Sequence, residues 1–115
     1  LSGLRFFNQL AERVRGIRVI GSIPWVCTKM AEGLIDIQSA DSSGVSLAAA
    51  SLLIKEAGGK VTDLNGDEIN PFDTTIRRFV AANKWLHLQI LQLAQGLHTK
   101  GTFAGTSDDP SKKSI

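Results

Sequence analysis

The sequence predicts a layered α/β sandwich, and three observations carry that expectation. Segments with helical apolar spacing alternate with short β-branched runs, Gly and Asn residues punctuate the joins, and the composition suffices for a core. Of 115 residues, 43% are hydrophobic and 21% charged, as in an ordinary globular domain and unlike a disordered chain. A net charge of +2, with Lys and Arg scattered along the chain, argues against a nucleic-acid-binding role. Apolar stretches such as Leu47 to Ile54 are too short to span a bilayer. The chain opens on Leu1 with no basic-then-apolar leader, so the expectation is a processed chain or a fragment.

Leu4, Phe7, Ala11 and Val14 recur at helical spacing among Arg5, Glu12 and Arg13, which predicts an amphipathic helix ending near Gly16. Ile17 to Ile20 is short and β-branched and reads as a strand that breaks at Gly21-Ser22. A second helix is expected from Ile23 to Glu32, with Pro24 tolerated in its first turn and Gly33 closing it. Leu34 to Gln38 then reads as a strand and Ser39 to Gly44 as a polar loop. Ser46 to Ala57 is a helix rich in Ala and Leu, suited to close packing against a sheet and stopped by Gly58-Gly59.

Asn65-Gly66, between Lys60 to Asp63 and Glu68 to Asn70, is the strongest hairpin signal in the chain. Pro71 to Thr75 is expected as loop and Arg78 to Ala82 as an apolar strand. Asn83 then caps a last helix with Leu86, Ile90, Leu93 and Leu97 on one face. From His98 onward the residues are small and polar, so the domain is placed at residues 1–97 and a disordered tail at 98–115.

Few side chains suggest chemistry by themselves. Cys27 is the single cysteine, which excludes an internal disulfide and fits a reducing compartment, hence a cytoplasmic location. In its apolar stretch, with no His placed beside it, it reads as a buried inert thiol and not as a nucleophile. Asp63-Leu-Asn-Gly-Asp67 imitates the start of a calcium loop. The sixth position is Glu68 in place of Gly and the twelfth is Thr74 in place of Glu, so the hairpin reading is preferred. His87 and His98 are too far apart in sequence to suggest a zinc pair. Trp25 and Trp85 read as packing residues, and Arg77-Arg78 as solvated edge protection ahead of a phosphate site.

Three segments together resemble the inositol monophosphatase family. They are Gly16 to Ser22 followed by a helix and Ala31-Glu-Gly33, then Val45 to Gly59 running into Val61-Thr-Asp63, and Phe72 to Asn83. Their order matches that family's C-terminal region from Leu1 to about Leu93. The fold implied is the C-terminal subdomain of the inositol monophosphatase and fructose-1,6-bisphosphatase sugar phosphatases. The activity implied is Mg²⁺-dependent hydrolysis of a phosphorylated polyol or sugar, usually by a homodimer. Mg²⁺ takes oxygen ligands and keeps several waters, and clustered ions activate a water and neutralise the leaving oxygen. Most of the carboxylates for that chemistry belong to the family's N-terminal half, so this chain is expected to be inactive alone.

The resemblance also assigns roles within the chain. Gly21-Ser22 falls on the turn that lines the substrate pocket, a role compatible with a plain helix cap. The family's Trp-Asp dipeptide, whose Asp ligates a metal, falls on Val45-Ser46, so the carboxylate is replaced by a neutral hydroxyl. Ser46 is expected to keep the helix cap and discard the ligand. The substrate-contacting acid falls on Ala40, with Asp41 one position away as the candidate replacement. Two functions follow. One is the C-terminal part of a Mg²⁺-dependent phosphomonoesterase, completed by the N-terminal half of the same fold. The other is a non-catalytic relative acting as a binding or assembly module, which Ser46 and Ala40 favour.

Overall fold

The computed structural model describes residues 3–96, so Leu97 and the expected tail lie outside the described residues. The element order is α1 Gly3–Ala11, α2 Ile23–Ala31, β1 Ile37–Ser42, α3 Gly44–Glu56, β2 Lys60–Asp63, β3 Arg77–Ala82 and α4 Lys84–Ala94. Among the described residues no helix is long and apolar enough to cross a membrane.

The sheet has the order β1-β3-β2, with β3 antiparallel to both neighbours. β3 is therefore central, which explains its uninterrupted apolar run from Phe79 to Ala82, all four fully buried. Phe79 and Ala81 point to one face, where α2 and α3 pack through Cys27, Met30, Leu47, Ala50 and Ile54. Val80 and Ala82 point to the other, where α1 and α4 pack through Phe6, Leu86, Ile90 and Leu93. The result is helix pair, sheet, helix pair, a layered α/β sandwich with a core on each side of the sheet.

Local chemistry explains most of the element ends. Asn83 caps α4, its Oδ1 accepting from the Leu86 amide at 2.8 Å. Gly33, at φ +83°, closes α2, where the Gly33 and Leu34 amides donate to Met30 and Lys29 carbonyls. The same pair of bonds closes α3 at Gly58 and Gly59, to Lys55 and Ile54. The Asn65-Gly66 turn forms between Asp63 and Asp67, with one bridge at Thr62 and Glu68. Asp63 Oδ1 accepts from the Asn65 and Asp67 amides, so this carboxylate builds the turn, in keeping with the hairpin reading.

Three expectations are corrected. α1 stops at Ala11 and not near Gly16: the Arg13 amide turns to the Leu10 carbonyl at 2.9 Å, and the Arg13 guanidinium takes the Gln9 carbonyl of the last turn at 2.7 Å. Ile17 to Ile20 forms no strand. No neighbour pairs with it among the described residues, and Val19 stands 90% exposed. A β-branched run becomes a strand only where a ladder and a packed face receive it. Finally, β1 begins at Ile37 and continues through Ser42, so Ser39 to Ser42 is strand and not loop. Leu34 is consumed in closing α2, and pairing of Ser39 to Ser42 with Arg77 to Val80 overrides their loop-like composition.

Candidate functional site

One residue separates β1 from α3, and five separate α2 from β1. Both helices pack on the same face of the sheet. Each therefore runs antiparallel to β1, and their N-termini lie at the same end of the molecule, where β1 ends. The start of β3 and the end of β2 are at that end too. Gly21-Ser22, Asp41 and Ser46 are thus gathered to one end of the sheet by topology, although they are spread over 26 positions of sequence.

At α2, Ser22 is the N-cap, with Oγ accepting from the Trp25 amide at 3.4 Å. Gly21 before it has φ +83°, a conformation that a side chain would strain. In the first turn of α2, Pro24 has no N–H and the Trp25 amide is held by Ser22 Oγ, which leaves the Ile23 amide as the helix-start donor for an anion or a polyol oxygen.

At α3 the cap is Ser43, and this corrects the expectation for Ser46. The buried Ser43 Oγ accepts from the Ser46 amide at 3.2 Å, and Ser43 has the extended backbone of an N-cap. Ser46 is the third helical residue, exposed, with its own Oγ 3.1 Å from the Ser43 hydroxyl. A side chain at this position reaches back over the helix start, as in a capping box. Gly44 between them admits no side chain, since a Cβ would come 1.8 Å from the Asn70 carbonyl oxygen. The Val45 amide donates to the Asp73 carbonyl at 3.1 Å, so the segment after the hairpin is tied to the start of α3.

Asp41 goes elsewhere. On β1, Gln38 and Ala40 face α2 and α3, so by alternation Asp41 faces the α1 and α4 side. There Arg78 grips both its carboxylate oxygens, Nε to Oδ1 at 2.9 Å and the guanidinium amine to Oδ2 at 3.4 Å. The sheet end is shared with Ser22 and Ser46, but the face is not. Arg77 pairs with Asp73 at 3.4 Å, so both arginines have carboxylate partners. Asp73 also accepts from the Thr75 amide, and these hydrogen bonds, ahead of Arg77, hold its carboxyl below the usual range.

The remaining candidates are structural. Cys27 is buried, its thiol donating to Gln38 Oε1 at 2.9 Å, and burial pushes its pKa up to about 11. His87 is buried beside Thr62, and Asn83 is spent on its cap. A cavity of about 130 Å³, not foreseen from the sequence, lies between α3 and the segment after the hairpin. Gly44, Leu47, Ser51, Lys55, Ile69 and Pro71 are among its lining residues, and no acid is. Among the described residues no three His, Cys, Asp or Glu side chains converge to hold a metal. The donors among the described residues therefore do not make a Mg²⁺ site by themselves.

No family model matches the sequence. Over 90 residues it is 29% identical to a fructose-1,6-bisphosphatase/inositol-1-monophosphatase of Thermotoga maritima, covering 77% of this chain and 34% of that protein. The crystal structure of extragenic suppressor protein suhB from Bartonella henselae superposes with a TM-score of 0.70 at 25% identity, over 80% of this chain and 38% of that one. The chain resembles part of an inositol monophosphatase. A bifunctional NADP phosphatase/NAD kinase of Methanococcus maripaludis is 36% identical over 85 residues, 69% of this chain and 15% of that protein. The chain thus spans about a third of the Thermotoga relative and less of the archaeal one. The two sequence relatives carry phosphatase names, and the likeness to them and to the suhB structure covers most of this chain.

Proposed function

We propose that this chain is the C-terminal subdomain of a cytoplasmic, Mg²⁺-dependent phosphomonoesterase acting on a phosphorylated polyol or sugar, and is inactive alone. The observation that carries the proposal is the outer face of α3. Val45, Ala49, Leu52 and Leu53 are exposed there at helical spacing, opposite the buried Leu47, Ala50 and Ile54. A helix apolar on both faces belongs in the interior of a larger fold. The short share of each relative that the chain covers agrees, with the N-terminal half of the fold supplying the second layer.

In this reading Gly21 and Ser22 line the pocket, their turn and the Ile23 amide facing the substrate's oxygens. Asp41 joins them only by leaving Arg78 and changing face. The Mg²⁺ ions are held by carboxylates beyond this chain, where they supply the activated water and the counter-charge for the leaving oxygen. Ser46 stands where the family's Asp ligand is expected and offers no charge. The assembled enzyme is a homodimer.

The alternative is a non-catalytic relative in which the same framework binds or assembles, and Ser46 and Ala40 are the residues that favour it. Hydrolysis of inositol 1-phosphate with Mg²⁺ tests both readings. The 115-residue chain alone is expected to be inactive. The intact protein should be active if it is the enzyme and silent if it is the module. Mg²⁺-dependent turnover by the isolated chain overturns the proposal.

A further inference from the structure

The sheet has two outer edges, and they differ. β2 is short, four residues, with the exposed Lys60 on it, and the hairpin returns along its outer side through the bridge of Thr62 to Glu68. A short strand, a lysine and a covering turn are the usual protections of an edge. β1 runs for six residues, Ile37 to Ser42, in unbroken register with β3 on its inner side. It holds no Pro, no Lys and no bulge, and its one charge, Asp41, is bound to Arg78 of β3. Among the described residues no strand and no backbone group pairs with its outer side, whose N–H and C=O groups form a template for one more strand.

The surroundings of that edge suit a buried strand. α3 packs on β2 and α2 on β1, where the Cys27 thiol meets Gln38, so α2 roofs the open edge. On the opposite face Ile37 packs with the α1 and α4 core. A strand between two such layers is apolar on both sides. This chain holds one candidate, the β-branched run Ile17 to Ile20 that enters α2. Because α2 runs antiparallel to β1, a strand made by that run would lie parallel to β1, on the side that β3 leaves free. It forms no strand there, although α2 tethers it to β1, and Val19 stands exposed. The chain's own segment thus leaves the edge to another.

We propose that the outer edge of β1 is an assembly edge, on which an apolar strand from the part of the intact protein outside this chain pairs and continues the sheet, lying between β1 and Ile17 to Ile20. Under the reading of the chain as a subdomain, on which this assignment rests, the strand comes from the remaining fold, since the chain spans 34% of the Thermotoga relative. The added strand turns β1 from an edge into an interior strand and offers Ile17 to Ile20 the ladder they lack.

The test is amide hydrogen exchange by NMR at Ile37 to Ser42, on the 115-residue chain and on the intact protein, with inositol 1-phosphate hydrolysis assayed on the same intact sample. In the chain alone, alternate β1 amides, those turned away from β3, should exchange at least tenfold faster than their neighbours. In the intact protein they are expected to slow to match, with cross-strand NOEs from β1 to a residue outside this chain. Slowing without such NOEs is cover alone and overturns the assembly edge. So do alternate amides that stay fast in the intact protein, and hydrolysis by that sample then leaves the functional reading standing. A paired edge without hydrolysis keeps the inference and sinks the phosphatase reading. Protection in the chain alone that rises with its concentration makes a second copy the occupant and overturns the proposal. Should the chain alone fail to fold, Ser39→Pro and Ala40→Pro are compared in the intact protein, because their amides point to opposite sides of β1. An open edge tolerates one of the two and overturns the proposal, whereas a paired edge loses Tm with both.

Discussion

Replacing Ser43 and Ser46 separately tests how α3 begins. Ser43 Oγ accepts from the Ser46 amide at 3.2 Å and is buried, so Ser43→Ala leaves an orphan amide and an empty cap. Loss of an N-cap costs about 1 kcal/mol, within a range of roughly 0.5–2. For a domain of this size that is a fall of about 4–8 °C in Tm. Ser46→Ala loses only an exposed hydroxyl contact at 3.1 Å and should stay within about 0.5 kcal/mol. Ser46→Asp places a negative charge in the first turn and should stabilise by roughly 0.3–1 kcal/mol at low salt, fading as salt is added. Urea denaturation of the three variants beside the wild type, with the slope checked for constancy, reads all three differences. A Ser46→Ala loss equal to that of Ser43→Ala would put the cap back at Ser46 and refute the helix start described above. On the proposed reading, in which Ser46 stands at a metal-ligand position, calorimetric titration of the intact protein should also show tighter Mg²⁺ binding by Ser46→Asp, and unchanged binding counts against that position.

Gly44→Ala should be among the most damaging surface-end changes, costing about 1–3 kcal/mol or more, because its Cβ meets the Asn70 carbonyl oxygen at 1.8 Å. Equilibrium denaturation reads it, and a neutral result would mean that the segment after the hairpin is not seated against α3. Phe79→Ala, which empties the centre of the sheet, should cost roughly 3–5 kcal/mol by the same measurement, enough to unfold much of the population. The Cys27 pKa is raised from 9.0 to about 11, so the unfolded chain ionises first as the pH rises. Its stabilising contribution is complete below about 9 and is lost between about 9 and 11. Cys27→Ala should flatten that alkaline limb in a pH series of denaturation curves. Asp41→Asn should lower stability by no more than about 1 kcal/mol, since its pair with Arg78 is partly exposed.

Residues acting on their immediate neighbours were legible in the sequence. Asn83 as a cap, Gly33 and Gly58 as helix stops and Asn65-Gly66 as a turn all follow from backbone chemistry within a few positions. So does the spacing of Leu86, Ile90 and Leu93 on α4. The alternation of helices and strands gave the layered class for the same reason. Ser43 was within reach too, since a Ser just ahead of an Ala- and Leu-rich helical run is a cap signal, but the family register favours Ser46. What depended on a distant partner was not legible. Ser39 to Ser42 is a strand only because Arg77 to Val80 pair with it, and Ile17 to Ile20 is not one because nothing pairs with it. Asp41 was expected in a loop; its place on β1, its face and its bond to Arg78 are set by the β1 and β3 register. Periodicity fixes which side chains share a face of an element. Only the tertiary structure decides which element receives that face, because the energy of a strand or a buried acid lies in its partner.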